Sequence, residues 1–294
     1  MAFRSGFIAL VGPPNVGKST LLNQILGRKV AIVTPKPQTT RNRILGILHG
    51  EQFQMVFVDT PGIHRTETLL HKSMVSSAQA AFKEVDIIVV MIEMPRPDPP
   101  ELSLIVSLLR KSKRPSLLII NKIDKRTKEE LLPVMDHLRS RHPFKSIIPI
   151  SALTGDGVAV MVKELTSMLR PGPAFFPPDM KTDQTESFLV SEIIREKIYL
   201  HTRQELPYSA AVTVSDIGEI AGKNLISISA RIHVETESQK GILIGREGSM
   251  IKAVGRDSRQ ELESFFGMQV YLDLTVRVDK HWSRNPKALR KLGY

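Results

Sequence analysis

The chain has no cysteine, a single tryptophan and only 5% aromatic residues. Without thiols there can be no disulfide, no thiolate metal site and no cysteine nucleophile, which fits a reducing, cytoplasmic setting. Long apolar runs are missing as well: none reaches the roughly 18 residues of a membrane-spanning helix. The apolar stretch within residues 1–11 has no cleavage site behind it and enters a glycine loop directly, so a first strand is expected there rather than a signal peptide. No internal repeat or low-complexity tract is found. Acid is scarce beside base, with 30 Asp+Glu against 41 Lys+Arg and a net charge of +11. Such a surplus suggests a polyanionic partner. It is uneven, however: residues 1–170 hold 24 basic and 14 acidic residues, the remaining 124 hold 17 and 16. Charge alone therefore favours the first half.

What is present points to two domains. A length of 294 residues exceeds one ordinary core, and 41% hydrophobic with 24% charged residues fits a soluble globular chain. In the first half, Phe7–Val11, Gln54–Val58, Ile87–Ile92, Ser116–Ile120 and Ser146–Ile150 are short β-branched runs without strict alternation. Strands covered on both faces of a parallel sheet read this way. Helical patterns lie between them at Lys18–Leu26, Leu69–Lys83, Pro100–Lys111, Lys128–Arg141 and Val158–Leu169. The alternation predicts a doubly wound, mostly parallel α/β domain over residues 1–170. A Pro-rich linker is expected over 171–187, with Phe175 and Phe176 pinning it to a neighbour. The second domain, 188–294, predicts the order α-β-β-α-α-β: a helix Phe188–His201, strands Tyr208–Ile220 and Leu225–Glu237, two short helices around Gly245–Gly248, and a strand Gln269–Lys280.

Directly after the first strand comes Gly12-Pro13-Pro14-Asn15-Val16-Gly17-Lys18-Ser19, with Thr20 following. This matches G-x-x-x-x-G-K-[ST] at every fixed position. A triphosphate needs several backbone N–H groups converging on one anion, and glycines let the backbone come that close. The next helix points its positive end at the same place. Lys18 is expected to bridge the β- and γ-phosphates, and Ser19 to hold Mg²⁺. Asp59-Thr60-Pro61-Gly62 follows a buried strand. Asp59 could hold Mg²⁺ through water, and the Gly62 N–H could meet a γ-phosphate. In the polar loop upstream, Thr39 or Thr40 should complete the metal shell, with Thr40 favoured.

Asn121-Lys122-Ile123-Asp124 reads the base. Asp124 offers two acceptors to the adjacent N1–H and N2–H₂ donors of guanine, which adenine lacks; a buried pair of this kind rejects adenine by ~10⁴-fold. Asn121 would bind the base and tie loops together, the Lys122 stem would lie against the purine, and Ser151-Ala152-Leu153 would offer a backbone N–H to guanine O6. The position after D-x-x-G is Ile63, which cannot orient a water, so intrinsic hydrolysis should be slow. His64 and Arg65 read as switch residues without a chemical role. Residues 1–170 thus resemble a small G domain of the translation-factor class, and in related G domains an asparagine at Asn15 resembles a K⁺ ligand. The expected catalytic set is Lys18, Asn15, Thr40 and Gly62.

In the second half, Ile244-Gly245-Arg246-Glu247-Gly248 and the following Ile251 make a G-x-x-G turn between two helices. Such a turn brings backbone against a sugar-phosphate chain, as in a type II KH domain gripping about four nucleotides. Arg246, Lys240 and Lys252 would meet phosphates. Ile244, Ile251 and strand residues near Ile232 and Val234 would form an apolar floor, while Glu247 sits awkwardly beside an anion. A basic tail follows, with Arg277, Lys280, Arg284, Lys287, Arg290 and Lys291 against Asp279.

The combination resembles the Era family of GTPases across essentially the whole chain, through P-N-V-G-K-S-T-L-L-N, Q-T-T-R, D-T-P-G, N-K-x-D, S-A-x-T-G, S-E-I-I-R-E-K, E-L-P-Y-S, the I-G-x-x-G segment and A-L-R-x-L-G-Y. Pro13 departs from the basic residue frequent there. The resemblance implies a monomeric GTPase that binds GTP and GDP with Mg²⁺, holds the 3′ end of small-subunit rRNA, and serves assembly of the small ribosomal subunit. It also implies peripheral association with the inner membrane. Two other classes stay open: an RNA chaperone with structural nucleotide, and a signalling GTPase whose KH-like domain binds protein.

Overall fold

The computed structural model describes residues 2–36, 43–60, 62, 82, 84–94, 97, 99–202 and 206–292. The expected helix Leu69–Lys83, apart from Phe82, and residues Thr39, Thr40, Ile63, His64 and Arg65 lie outside them. The described residues up to 31 and from 43 to 183 form one unit, and residues 32–36 with those from 184 onward form another.

In the first unit the described elements are β1 (Arg4–Val11), α1 (Lys18–Leu26), β2 (Ile44–Gly50), β3 (Phe53–Asp59), β4 (Ile87–Glu93), α2 (Pro100–Ser112), β5 (Ser116–Asn121), α3 (Leu131–Arg139), β6 (Ile147–Pro149), α4 (Val158–Met168) and β7 (Arg170–Pro171). The sheet order is β2-β3-β1-β4-β5-β6, with β7 paired to β1. Neighbours from β3 to β6 run parallel. β4 and β5 are buried almost throughout, which is why their sequences are unbroken apolar runs rather than alternations. Every fully buried Val, Leu or Ile there contributes about 1.5–3 kcal/mol relative to exposure.

Three differences from the sequence reading have physical causes. β2 was not expected; it pairs antiparallel with β3, and its run Ile-Leu-Gly-Ile-Leu-His-Gly carries two glycines that weaken a strand signal. The helix expected from Lys128 begins as a 3-10 turn, Lys128–Glu130, before α3 proper. The stretch expected as linker lies along the first unit as far as Asp183. Phe175 and Phe176 donate their backbone N–H groups to Gln54 Oε1 at 2.6 and 3.0 Å, Phe175 stacks on Phe7 at 5.0 Å, and Thr182 bridges to Gly46. Gln54 is wholly buried, so these bonds satisfy an amide that burial would otherwise penalise.

The second unit contains α5 (Glu186–His201), α6 (Leu206–Ser209), β8 (Ala211–Glu219), β9 (Leu225–Val234), α7 (Glu237–Ile244), α8 (Ser249–Phe266), β10 (Gln269–Val278) and α9 (Pro286–Lys291). Setting aside the short α6 and α9, the order is α-β-β-α-α-β. The sheet runs β10-β9-β8, with β9 parallel to β10 and antiparallel to β8. Ile226, Ile228, Ala230, Ile232 and Val234 share one face of β9 and are all buried with Val190, Ile194, Leu243 and Val254. Threonine caps start α5 and α7: Thr185 accepts from Phe188 N–H and Thr236 from Gln239 N–H. Such caps contribute on the order of 1 kcal/mol each.

Candidate functional site

The phosphate loop joins the C-terminal end of β1 to α1. Helix α1 has neither a capping side chain nor an acidic residue in its first turn, so its own sequence puts no negative group on its positive end. Gly17 holds φ at +98°, and a Cβ there would stand 2.3 Å from Asn121 Nδ2, so only glycine lets the two loops meet. Lys18 is buried, its Nζ donating to the carbonyls of Gly12 and Pro13 at 3.2 and 2.9 Å. Burial lowers its pKa to about 8, against the raising influence of the Asp59 carboxylate. A cation held at such a cost is poised for an anion. Ser19 Oγ donates to Asp59 Oδ2 at 2.7 Å, and Asp59 is wholly buried. A hydroxyl and a carboxylate brought together beside a phosphate loop form the hard-oxygen donor pair that suits Mg²⁺. Gly62 comes so near this loop that a Cβ would lie 2.9 Å from Pro14 N.

The residues expected to read the base converge on the same loop. Asn121, buried at the end of β5, donates from Nδ2 to Val16 O at 2.7 Å and accepts Ala152 N–H at Oδ1, 2.8 Å. Asp124 Oδ1 accepts from Ser151 Oγ at 2.7 Å, and Ser151 N–H donates to Asp156 O at 2.9 Å. Leu153 is 74% exposed, a large apolar side chain beside the Ser151–Ala152 turn. Lys122 takes a left-handed φ of 63°, and its Nζ bonds Asn15 O at 2.7 Å and the Glu93 carboxylate. Glu93 was not foreseen; its position at the end of β4, next to β5, was the available signal. Asn15 itself sits at φ 63°. Of the expected metal and catalytic residues, Thr39 and Thr40 lie outside the described residues.

In the second unit, Gly245 adopts φ 73°, ψ 173° and Gly248 φ 77°. A Cβ at Gly245 would stand 2.8 Å from Met250 N, and that backbone region is essentially glycine's alone. Helix α8 starts at Gly248 without a capping side chain or first-turn acid. Arg246, Glu247 and Lys252 are exposed, Lys252 Nζ donating to Glu247 O at 3.3 Å. Lys240, Ile244 and Ile251 are partly exposed. Ile232 and Val234 correct the expected floor: both are fully buried in the core, because period-two alternation turns them under the helices. The basic tail is anchored too. Trp282 is 1% exposed, and its Nε1 donates to Ser209 O at 3.0 Å. The sequence reading passed over this residue, although a lone tryptophan after a final strand was a signal.

A phosphate loop clamped to the buried asparagine of an N-K-x-D turn, in a chain that also carries a G-x-x-G turn between two helices packed on a three-stranded sheet, defines a P-loop GTPase with a KH domain. The protein-family model described as a 50S ribosome-binding GTPase matches residues 7–122, and one described as a KH domain matches residues 205–283. GTPase Era of Syntrophus aciditrophicus (strain SB) is 52% identical over 99% of this chain and 95% of that protein. GTPase Era of Geotalea uraniireducens (strain Rf4) is 49% identical over 99% of this chain and 98% of its own length. A crystal structure of Aquifex aeolicus Era bound to GDP·AlF4⁻ superposes with a TM-score of 0.96 at 40% identity, covering 99% of both chains. One of Era in complex with MgGDPNP and nucleotides 1506–1542 of 16S ribosomal RNA gives 0.95 at 39% identity, again over 99% of each chain. The chain belongs to the Era family of GTPases.

Proposed function

We propose that this GTPase binds GTP and GDP with Mg²⁺, grips the 3′-terminal single strand of 16S rRNA at its KH turn, and lets the nucleotide set its RNA affinity during small-subunit assembly. The phosphate loop would cradle the triphosphate through its N–H groups and Lys18. Ser19 and Asp59 would hold Mg²⁺, which supplies charge neutralisation on the phosphate oxygens, with Thr39 or Thr40 completing its shell. Asp124 and an amide of the Ser151–Leu153 turn would read guanine. At the second site Gly245, Arg246, Gly248 and Lys252 would carry the sugar-phosphate chain, with Lys240, Ile244, Glu247 and Ile251 around it.

One observation carries the switch. Residues 32–36, a few positions ahead of Thr39 and Thr40, belong with the second unit. Val33 N–H donates to the buried Glu196 Oε1 of α5 at 2.8 Å, and Lys36 Nζ bonds the carbonyls of Tyr199 and Thr202. A threonine that responds to the γ-phosphate would therefore pull on a segment tied to the KH helix.

The test uses the full chain and a labelled 3′-terminal 16S fragment. Gly245→Asp should abolish RNA binding and leave GTP hydrolysis intact. Retention of RNA affinity in that variant would count against the KH reading. We also propose that Asn15 supports a K⁺ ion beside the phosphates, so hydrolysis should run faster in K⁺ than in Na⁺; equal rates would dismiss it. Location in the cytoplasm, peripheral membrane contact and a monomeric state are parts of the same proposal.

A further inference from the structure

The nucleotide site uses little of the basic surplus in the first unit. Much of the remainder gathers at two turns. One runs from Arg110 to Ser116, from the end of α2 into β5; the other runs from Asp136 to Ser146, from the end of α3 into β6. β5 and β6 are parallel neighbours, so both turns lie at strand N-termini, on the pole of the sheet opposite the phosphate loop. They are stitched together: Lys145 N–H donates to Ser116 O at 2.9 Å and Leu118 N–H to Ser146 O at 3.0 Å. Arg110 Nη2 reaches Arg141 O at 3.5 Å. The two turns hold seven Lys and Arg residues and one acid, Asp136, which pairs with Arg139 at 2.9 Å. Glu164 accepts from Ser146 Oγ at 2.6 Å.

A cavity of about 370 Å³ opens here, lined by Arg139, His142, Phe144, Lys145 and Ser146 among others. His142 stands edge-on to Phe144 at 4.9 Å, and its Nδ1 is buried with no hydrogen-bond partner among the described residues. Burial, and then the nearby Arg110 charge, hold this imidazole below its ordinary pKa.

We propose that this basic pole is a second RNA-binding surface, one that takes the phosphate backbone of a duplex independently of the KH turn. Cations in the last turn of a helix are explained by its negative end, which accounts for Arg110, Lys111 and Arg139. Lys113 and Lys145 lie past the helix ends and are exposed, beside Arg114 and Arg141, and a surface cluster of one sign favours an anionic partner. A lipid-binding element would pair its cations with exposed apolar side chains, and neither turn exposes a large one. A single-strand site would offer aromatic platforms, whereas Phe144 is partly buried against His142. Arg, Lys and Ser around a polar cavity suit backbone phosphates.

The proposal rests on the reading that this GTPase works on ribosomal RNA, and the experiment separates the two. The full chain, a Lys111→Glu/Lys145→Glu double variant and an Arg246→Glu variant are titrated, at several salt concentrations, with a blunt RNA duplex, with the single-stranded 3′ fragment, and with vesicles of phosphatidylcholine and phosphatidylserine. The double variant should lose about tenfold or more in duplex affinity with a flatter salt slope, while keeping single-strand affinity and GTP hydrolysis. Arg246→Glu should do the reverse, losing the single strand alone. An unchanged duplex affinity, an equal loss on both RNAs, or a loss confined to vesicles would overturn the proposal. Failure of the unaltered chain to bind the single strand, with the duplex arm as expected, would instead overturn the 3′-end reading.

Discussion

Asn121 ties the guanine loop to the phosphate loop: its Nδ2 donates to Val16 O at 2.7 Å while its Oδ1 holds Ala152 N–H at 2.8 Å. The loops expected to bind base and phosphate therefore share one buried amide. Replacing it with alanine strands a carbonyl and an amide in the interior, at about 1–3 kcal/mol apiece. Asn121→Ala should lower both the melting temperature and the affinity for GDP. A variant with intact stability and affinity would show that the clamp is dispensable.

On the proposed reading, Asp124 accepts from guanine's two donors. In Asp124→Asn the amide presents one donor in place of an acceptor, which clashes with guanine and suits xanthine, whose position 2 is a carbonyl. GTP affinity should fall about a hundredfold or more, and affinity for xanthosine triphosphate should rise. Competition between the two nucleotides for the variant measures it directly.

Lys18 has a pKa lowered to about 8 by burial. A bound phosphate raises that pKa, so binding takes up a proton once the free protein has lost it. Affinity for GTP should be level below pH about 8 and weaken above it, by at most about tenfold per pH unit. Calorimetry in buffers of different ionisation enthalpy should detect the proton uptake near pH 8.5 (roughly half a unit above that pKa), and no uptake would contradict a buried Lys18 in the free protein.

Trp282 fills the second unit's C-terminal corner at 1% exposure, with its indole N–H satisfied by Ser209 O. Trp282→Ala should destabilise that unit by about 3–5 kcal/mol. Trp282→Phe, which keeps much of the volume, should cost less. Tryptophan fluorescence of the unaltered chain reports this unit alone, since the sequence has no other tryptophan.

Much of this was legible beforehand, for stated reasons. Buried parallel strands announce themselves as apolar runs, and the phosphate and base loops each need particular residue types at fixed spacing. β2 escaped because an antiparallel edge strand with two glycines lacks the apolar density of β4 and β5. Its outer edge is covered by the segment ending at Asp183, a non-local pairing that no local pattern encodes. The supposed floor residues Ile232 and Val234 failed for the opposite reason: alternation identified their common face, but not which face the helices cover. Glu93, Glu196 and Gln54 act through partners 29, 163 and 122 residues away, beyond the reach of spacing arguments.

The most direct test of a nucleotide-controlled RNA switch is the affinity of the full chain for the labelled single-stranded 3′ end of 16S rRNA, compared in a non-hydrolysable GTP analogue and in GDP. Tighter binding with the analogue is expected, and Glu196→Ala, which frees the segment at Val33, should narrow the difference. Equal affinity in the two states would contradict the switch and leave GTP a structural ligand of an RNA-binding protein.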